Sequence, residues 1–237
     1  MTTKQSRIIG KVLSPALQMW LRSQVSQVEE LQVKIEGGDR QILSGYIPQV
    51  SLSSRYAVYQ GLHLSQIQAI GENIRINLSQ VLKGKPLQLL EPILVRVQLL
   101  LQEDDLKASL QSPLLSNALS DLLGSLLKSQ GLGKLDTLLD YHKIVWEKVA
   151  IDTDQLILEG CFIDATGKAI PVIIRTSLHL ASSRELQLSS LCIQFLPELS
   201  VENLDGLQID LGSEVNIQEL TLMPRQIVCE GQLQVLP

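Results

Sequence analysis

The sequence predicts an α+β protein: two pseudo-repeated units, each a long amphipathic helix packed on a curved antiparallel β-meander. Three observations carry this. In two stretches apolar residues recur at three- and four-residue spacing, the period of a helix face. Elsewhere they alternate with polar ones, the period of a strand with one covered side. A strand, polar turn and strand ending near glycine also recurs, so the helix-then-meander plan is used twice within one domain, 1–237, over about residues 14–101 and 104–237.

The first helix opens at Ser14-Pro15, with Ser as N-cap and Pro at the first helical position. Ala16, Leu17, Trp20, Leu21 and Val25 then lie on one face, predicting helix over about 15–28. From Leu31 the period is two, and Gly37-Gly38-Asp39 predicts a hairpin turn into a strand at 41–47. Further strands are predicted at 63–70, 74–78 and 95–101. Glu103-Asp104-Asp105 places negative charge where a helix dipole favours it. The second helix follows, with leucines at 106, 110, 114, 115, 119, 122, 123, 126 and 127, and Gly131 and Gly133 stop it. Ser112-Pro113 inside it echoes Ser14-Pro15. The rest reads as strand, including 148–151, 155–163, 170–180, 185–193, 207–211 and 214–222. The repeated hairpin is visible at 35–45 and 151–160, with a third relative at Arg225-Gln226-Ile227-Val228-Cys229-Glu230-Gly231.

Composition removes several functions. The 237 residues carry a formal charge of −5, and 45% are hydrophobic against 19% charged. Nucleic-acid surfaces need concentrated Lys and Arg, and single-strand platforms need aromatics, here only 3%. No nucleic-acid partner is expected. The apolar mass is aliphatic, with 46 leucines, and much of the polar mass is uncharged, with 24 glutamines. Cys161, Cys192 and Cys229 form no C-x-x-C pair and read as buried reduced thiols. His63, His142 and His179 have no neighbours at ligand spacing, so no metal and no cofactor are expected. Gly84-Lys85 and Gly133-Lys134 lack the phosphate-loop spacing, and no nucleophile elbow or Cys–His pair is present, so no residue is assigned a catalytic role. There is no export signal pattern and no apolar run of about 18 residues, which places the chain in the cytoplasm or at a membrane surface.

What remains is surplus aliphatic surface. The leucine stripe of the second helix is wider than one packing face needs. Two readings stay open. In one, helices and curved sheets enclose an aliphatic groove for acyl chains, its candidate residues Leu17, Trp20, Leu21, Leu115, Leu119, Leu122, Leu123 and Leu126. In the other, this is a structural or interaction protein whose leucine face is buried in a homo-oligomer or against a partner. Wound as a helix, Lys4, Arg7 and Lys11 form a basic face opposite Ile9 and Leu13. This predicts that residues 1–13 are an arm contacting an anionic membrane.

A resemblance favours the first reading. Val12-Leu13-Ser14-Pro15-Ala16-Leu17, Gly45-Tyr46-Ile47-Pro48, Tyr59-Gln60-Gly61-Leu62-His63-Leu64, Gly84-Lys85-Pro86 and Leu222-Met223-Pro224-Arg225-Gln226-Ile227 resemble the LmeA-like phospholipid-binding family over nearly the whole chain. The resemblance implies an elongated helix-plus-curved-sheet fold similar to tubular lipid-binding proteins. It also implies phospholipid as partner, lipid binding or transfer, and no enzyme activity.

Overall fold

The computed structural model describes residues 13–129, 143–163, 167, 169–195, 199–204 and 207–237. Helix α1 (Ser14–Gln24) leads into β1 (Gln27–Glu36), α2 (Asp39–Leu43), β2 (Tyr46–Tyr59), β3 (Leu62–Arg75), α3 (Leu78–Val81) and β4 (Ile93–Gln102). Next come α4 (Glu103–Ser109), α5 (Pro113–Ser129), β5 (Lys143–Asp152), β6 (Gln155–Ile163), β7 (Ala169–Ser182) and β8 (Glu185–Phe195). The chain closes with β9 (Leu199–Leu204), β10 (Gln208–Asp210), β11 (Val215–Met223) and β12 (Gln226–Val235). All pairing is antiparallel. One sheet runs β1-β2-β3-β4-β12-β11, and the other β10-β8-β7-β6-β5 with β9 also on β8.

This corrects the predicted fold class. Of the described residues 60% are strand and 21% helical, in two antiparallel sheets with five short helices, rather than long helices on meanders. The physical reasons are local. Val25 is already extended (φ −120°, ψ 142°), so α1 stops at Gln24 and β1 takes over what was expected to be its last turn. The long second helix is two. Pro113 has no N–H to continue the helix of α4, and Ser112 instead caps α5, its Oγ accepting from the Leu115 N–H at 3.2 Å. Ser112-Pro113 therefore opens a helix, as Ser14-Pro15 was expected to. In α1 itself Ser14 is already helical and the cap position is Leu13, with no side-chain bond.

The predicted strand at 41–47 is also replaced. Asp39–Leu43 is one helical turn, closed at its start by the Gln41 Oε1, which accepts from the Gly38 N–H at 3.1 Å. Gly45 (φ +80°) then turns the chain, and it lies so close to the segment after β3 that a Cβ would stand 2.7 Å from the Ile76 carbonyl oxygen. So β1 and β2 still pair, Glu36 opposite Gln49, with a helical turn in the connection.

The C-terminal hairpin β11–β12 leaves the second sheet and joins the first, where β12 pairs along the whole of β4 from Gln226–Gln102 to Val235–Ile93. The two sheets meet where its tip touches the tip of β5–β6. Arg225 N–H donates to the Ile151 carbonyl at 2.9 Å, and Asp154 N–H donates to the Leu222 carbonyl at 3.3 Å. These four residues hold equivalent places in the two hairpins. Asp154 and Arg225 both have positive φ, and Gly160 and Gly231 each stand opposite a bulge in the partner strand. The joint is thus a local pseudo-two-fold between sequence relatives. Under it Ile151, Leu222 and Ile227 form a small core, with Leu101, Leu106 and Leu156 against it.

Two larger cores flank the joint. One packs α5 on the second sheet: Leu123 is 0% exposed and Leu126 1%, among Ile144, Trp146, Phe162, Val172 and Ile193. The other packs α1, α2 and α3 on the first sheet through Leu13, Leu17, Ile42, Ile47, Ile76, Leu78 and Leu87. α4 is pinned to β3 by side chains. The Ser109 Oγ accepts from the His63 N–H, and Ser65 Oγ donates to the Asp105 carboxylate.

Candidate functional site

The first sheet carries a cavity of about 410 Å³ beneath α1. Its roof is Leu13, Leu17, Trp20 and Leu21, one face of α1 at the three- and four-residue spacing of a helix stripe. Its walls come from β2 (Ile47, Val50, Leu52), β4 (Ile93, Val95, Val97) and β12 (Leu233, Val235). Alternation puts Val50 with Leu52, Ile93 with Val95 and Val97, and Leu233 with Val235 on one face while Glu72, Arg96 and Gln98 stay on the other; Ile47, three residues from Val50, lines the cavity at its end out of that phase.

The depth comes from β3. Register sets Val50, Gly71, Val95 and Leu233 in one row across four strands, and Leu52, Ala69, Val97 and Gly231 in the next. At the centre of both rows β3 offers only Gly71 and Ala69, so the sheet is recessed where α1 crosses it. A Cβ on Gly71 would meet Ile74 Cδ1 at 3.3 Å and the Ile93 and Val95 methyls at 3.7 Å, so the space above it is real but narrow. At one end Leu13, Ile76 and Leu87 are buried and close the cavity. Tyr59 and Leu233 are among its exposed lining residues.

No lining residue is charged. Polar side-chain atoms in the lining are confined to the Trp20 indole N–H and the Tyr59 hydroxyl, which accepts from the Gln60 amide at 3.1 Å. Such a surface offers nothing to hold an ion or orient a reacting group. It offers an aliphatic guest dispersion contact and removal from water. Among the described residues no group of three or more His, Cys, Asp or Glu could hold a metal ion. His179 is exposed and His63 half-buried, while His142 lies outside the described residues.

Of the eight predicted groove residues, Leu17, Trp20 and Leu21 line this cavity. Leu115, Leu119 and Leu122 are partly buried against the core of the second sheet, and Leu123 and Leu126 are inside that core. The α5 stripe is therefore packed on its own sheet, separate from the cavity. Lys4, Arg7 and Lys11 lie outside the described residues. Ala69 and Gly71 were missed, because a small residue in a strand that carries as many polar as apolar side chains signals only a bulge or a close approach.

The cysteines are unpaired and half-buried rather than fully buried. Burial, then an S–H bond to Glu147 at 3.4 Å and that carboxylate's charge, pushes the Cys161 thiol pKa up. Burial, and then Glu230, raises that of Cys229. Neither is an activated nucleophile.

No curated protein and no solved structure matches the chain. No described helix is long and apolar enough to cross a membrane. A family model does match, and its description, LmeA-like phospholipid-binding, names a binding family rather than an enzyme family. With residues 4–232 of its 237 covered by that model, the chain belongs to the LmeA-like phospholipid-binding family.

Proposed function

We propose that the chain is a non-enzymatic phospholipid-binding protein that seats an acyl chain in the cavity between α1 and the first sheet. The observation that carries this is a lining with no charged side chain over a sheet recessed at Ala69 and Gly71. Size supports it. At about 30 Å³ for each water-sized group, 410 Å³ holds roughly 14 of them, close to one acyl chain. Length agrees, because the 11 residues of α1 span about 16 Å and one leaflet of hydrocarbon is about 15 Å deep.

A phospholipid has a second chain. The same sheet face continues beyond the cavity through the half-buried Leu99, Cys229 and Leu220, one register row across β4, β12 and β11 that ends where Leu101 packs on the joint. We assign the second chain to that strip and the headgroup to solvent, so headgroup selectivity is weak.

Native mass spectrometry of the full chain after incubation with phospholipid vesicles tests the reading. One lipid per chain is expected, with little change between choline and glycerol headgroups. Gly71→Val projects methyls into the cavity from a strand residue whose backbone any residue adopts. Displacing two or three methylenes, at about 0.8 kcal/mol each, weakens binding by roughly thirtyfold. A lipid-free wild-type chain, or a Gly71→Val protein that binds as well as wild type, would overturn the proposal.

A further inference from the structure

We propose that the end of the first sheet formed by α2 and the α3 turn docks on an anionic lipid bilayer. The elements are joined there. Ile76 N–H donates to the Gly45 carbonyl at 2.9 Å, which sets the exit of α2 beside the entry to α3. Each short helix has two sides. Ile42, Leu78 and Val81 point inward and pack with Leu13, Ile76 and Leu87, the residues that close the cavity. Leu43 and Leu82 point outward, 58% and 54% exposed, and Leu90, whose N–H donates to the Arg75 carbonyl at 2.9 Å, is 58% exposed. Large aliphatic side chains in water on adjoining turns are a patch that a partner covers.

Charge identifies the partner. Arg40, Lys83 and Lys85 are exposed at this end, and among the described residues none of the three has an ion pair. Opposing them is Asp39; Glu91 is taken by Arg75 at 3.5 Å. A surplus of cations at one end of a chain with formal charge −5 is a local feature of the kind that anionic lipid attracts. Leucines ringed by cations match a bilayer surface in both respects, with apolar groups entering below the headgroups and cations among the phosphates.

The turn is also built to hold that shape. Gly84 (φ +79°) ends α3, and Lys85 N–H returns to the Gln80 carbonyl at 3.0 Å. The buried Asn77 clasps both strands of the loop. Its amide donates to the Pro86 carbonyl at 3.0 Å and its carbonyl accepts from the Gln88 N–H at 2.9 Å. Lys83, Lys85 and Leu82 are therefore presented by a fixed loop, so little ordering entropy is spent on docking. The bilayer would lie one layer of side chains from the closed end of the cavity.

The test is co-flotation of the full chain with phosphatidylcholine vesicles and with vesicles carrying phosphatidylglycerol. Wild type is expected to float with the anionic vesicles only, and less as salt is raised. Lys83→Gln with Lys85→Gln should lower partitioning by roughly thirtyfold. Leu43→Ser with Leu82→Ser should lower it at any salt. Both should leave the melting temperature and the lipid bound in the cavity unchanged, the latter measured separately by native mass spectrometry. Deleting residues 1–12 should leave flotation intact. Absence of flotation by wild type, flotation unchanged in both double variants, or loss of flotation only on deleting 1–12 would overturn the proposal. So would a dimer dissolved by the leucine changes without any effect on vesicles, because the patch would then serve a second copy. None of these outcomes bears on whether the cavity holds lipid.

Discussion

Gly71 and Leu123 show how differently two apolar-face positions can serve one protein. Leu123 is fully enclosed by the second sheet's side chains, so Leu123→Ala leaves a void and should cost about 2–5 kcal/mol of stability, read as a lowered denaturant midpoint with unchanged slope. Gly71→Val fills space against side-chain methyls that can shift, so it should cost no more than about 1–3 kcal/mol and leave a folded protein whose lipid occupancy falls. Gly231 is a third kind of position. A Cβ there would stand 2.6 Å from the Asn216 carbonyl oxygen and 3.0 Å from Ile217 Cα, so Gly231→Val must move backbone and should lose a kcal/mol or more, on the scale of about 1–3 for overpacking. The thiols give a pH readout. Because burial and nearby carboxylates raise the Cys161 and Cys229 pKa values, their thiolate fractions at a given pH lie below that of an ordinary cysteine. Native labelling should be slow at pH 8, rise only at more alkaline pH, and become fast on unfolding. Fast labelling at pH 8 in the native state would contradict these placements.

At the scale of elements, the sequence was readable where the period of the side chains decides and unreadable where one turn does. The α1 face, the α5 stripe and most strands announce themselves by spacing. α2 does not, since Gln41-Ile42-Leu43 satisfies a strand as well as a turn of helix, and only the Gln41-to-Gly38 bond and the Gly45 turn tip it. Ser112-Pro113 carried its signal openly, but the leucines on both sides ran through it with helical period and disguised the break between α4 and α5. That break has a measurable weight. Ser112→Ala removes the cap of α5 and should cost about 1 kcal/mol, with Ser112→Gly costing less. The roof residues Leu17, Trp20 and Leu21 were legible because they repeat. The floor was not, because a glycine in a strand pattern says only that something comes close.

The whole molecule is two sheets sharing a joint that no local pattern specifies. β4 and β12 are separated by more than half the chain, and their pairing depends on a hairpin that resembles β5–β6 in sequence yet completes the other sheet. That hairpin supplies Leu233 and Val235 to the cavity wall and Leu222 and Ile227 to the joint. Its tip reaches across to Ile151 and Asp154. The central claim is that lipid lies under α1, with the α5 stripe serving as core, and the two tryptophans stand on opposite sides of it. Trp20 roofs the cavity, whereas Trp146 is buried beneath α5 with its indole N–H on Ser120. The most direct measurement is fluorescence of Trp146→Phe and Trp20→Phe variants loaded with phospholipid brominated along the acyl chains. The account predicts strong quenching of Trp20 in the first variant and none of Trp146 in the second. Quenching of Trp146 with Trp20 unaffected would place the acyl chains among the α5 leucines and contradict it.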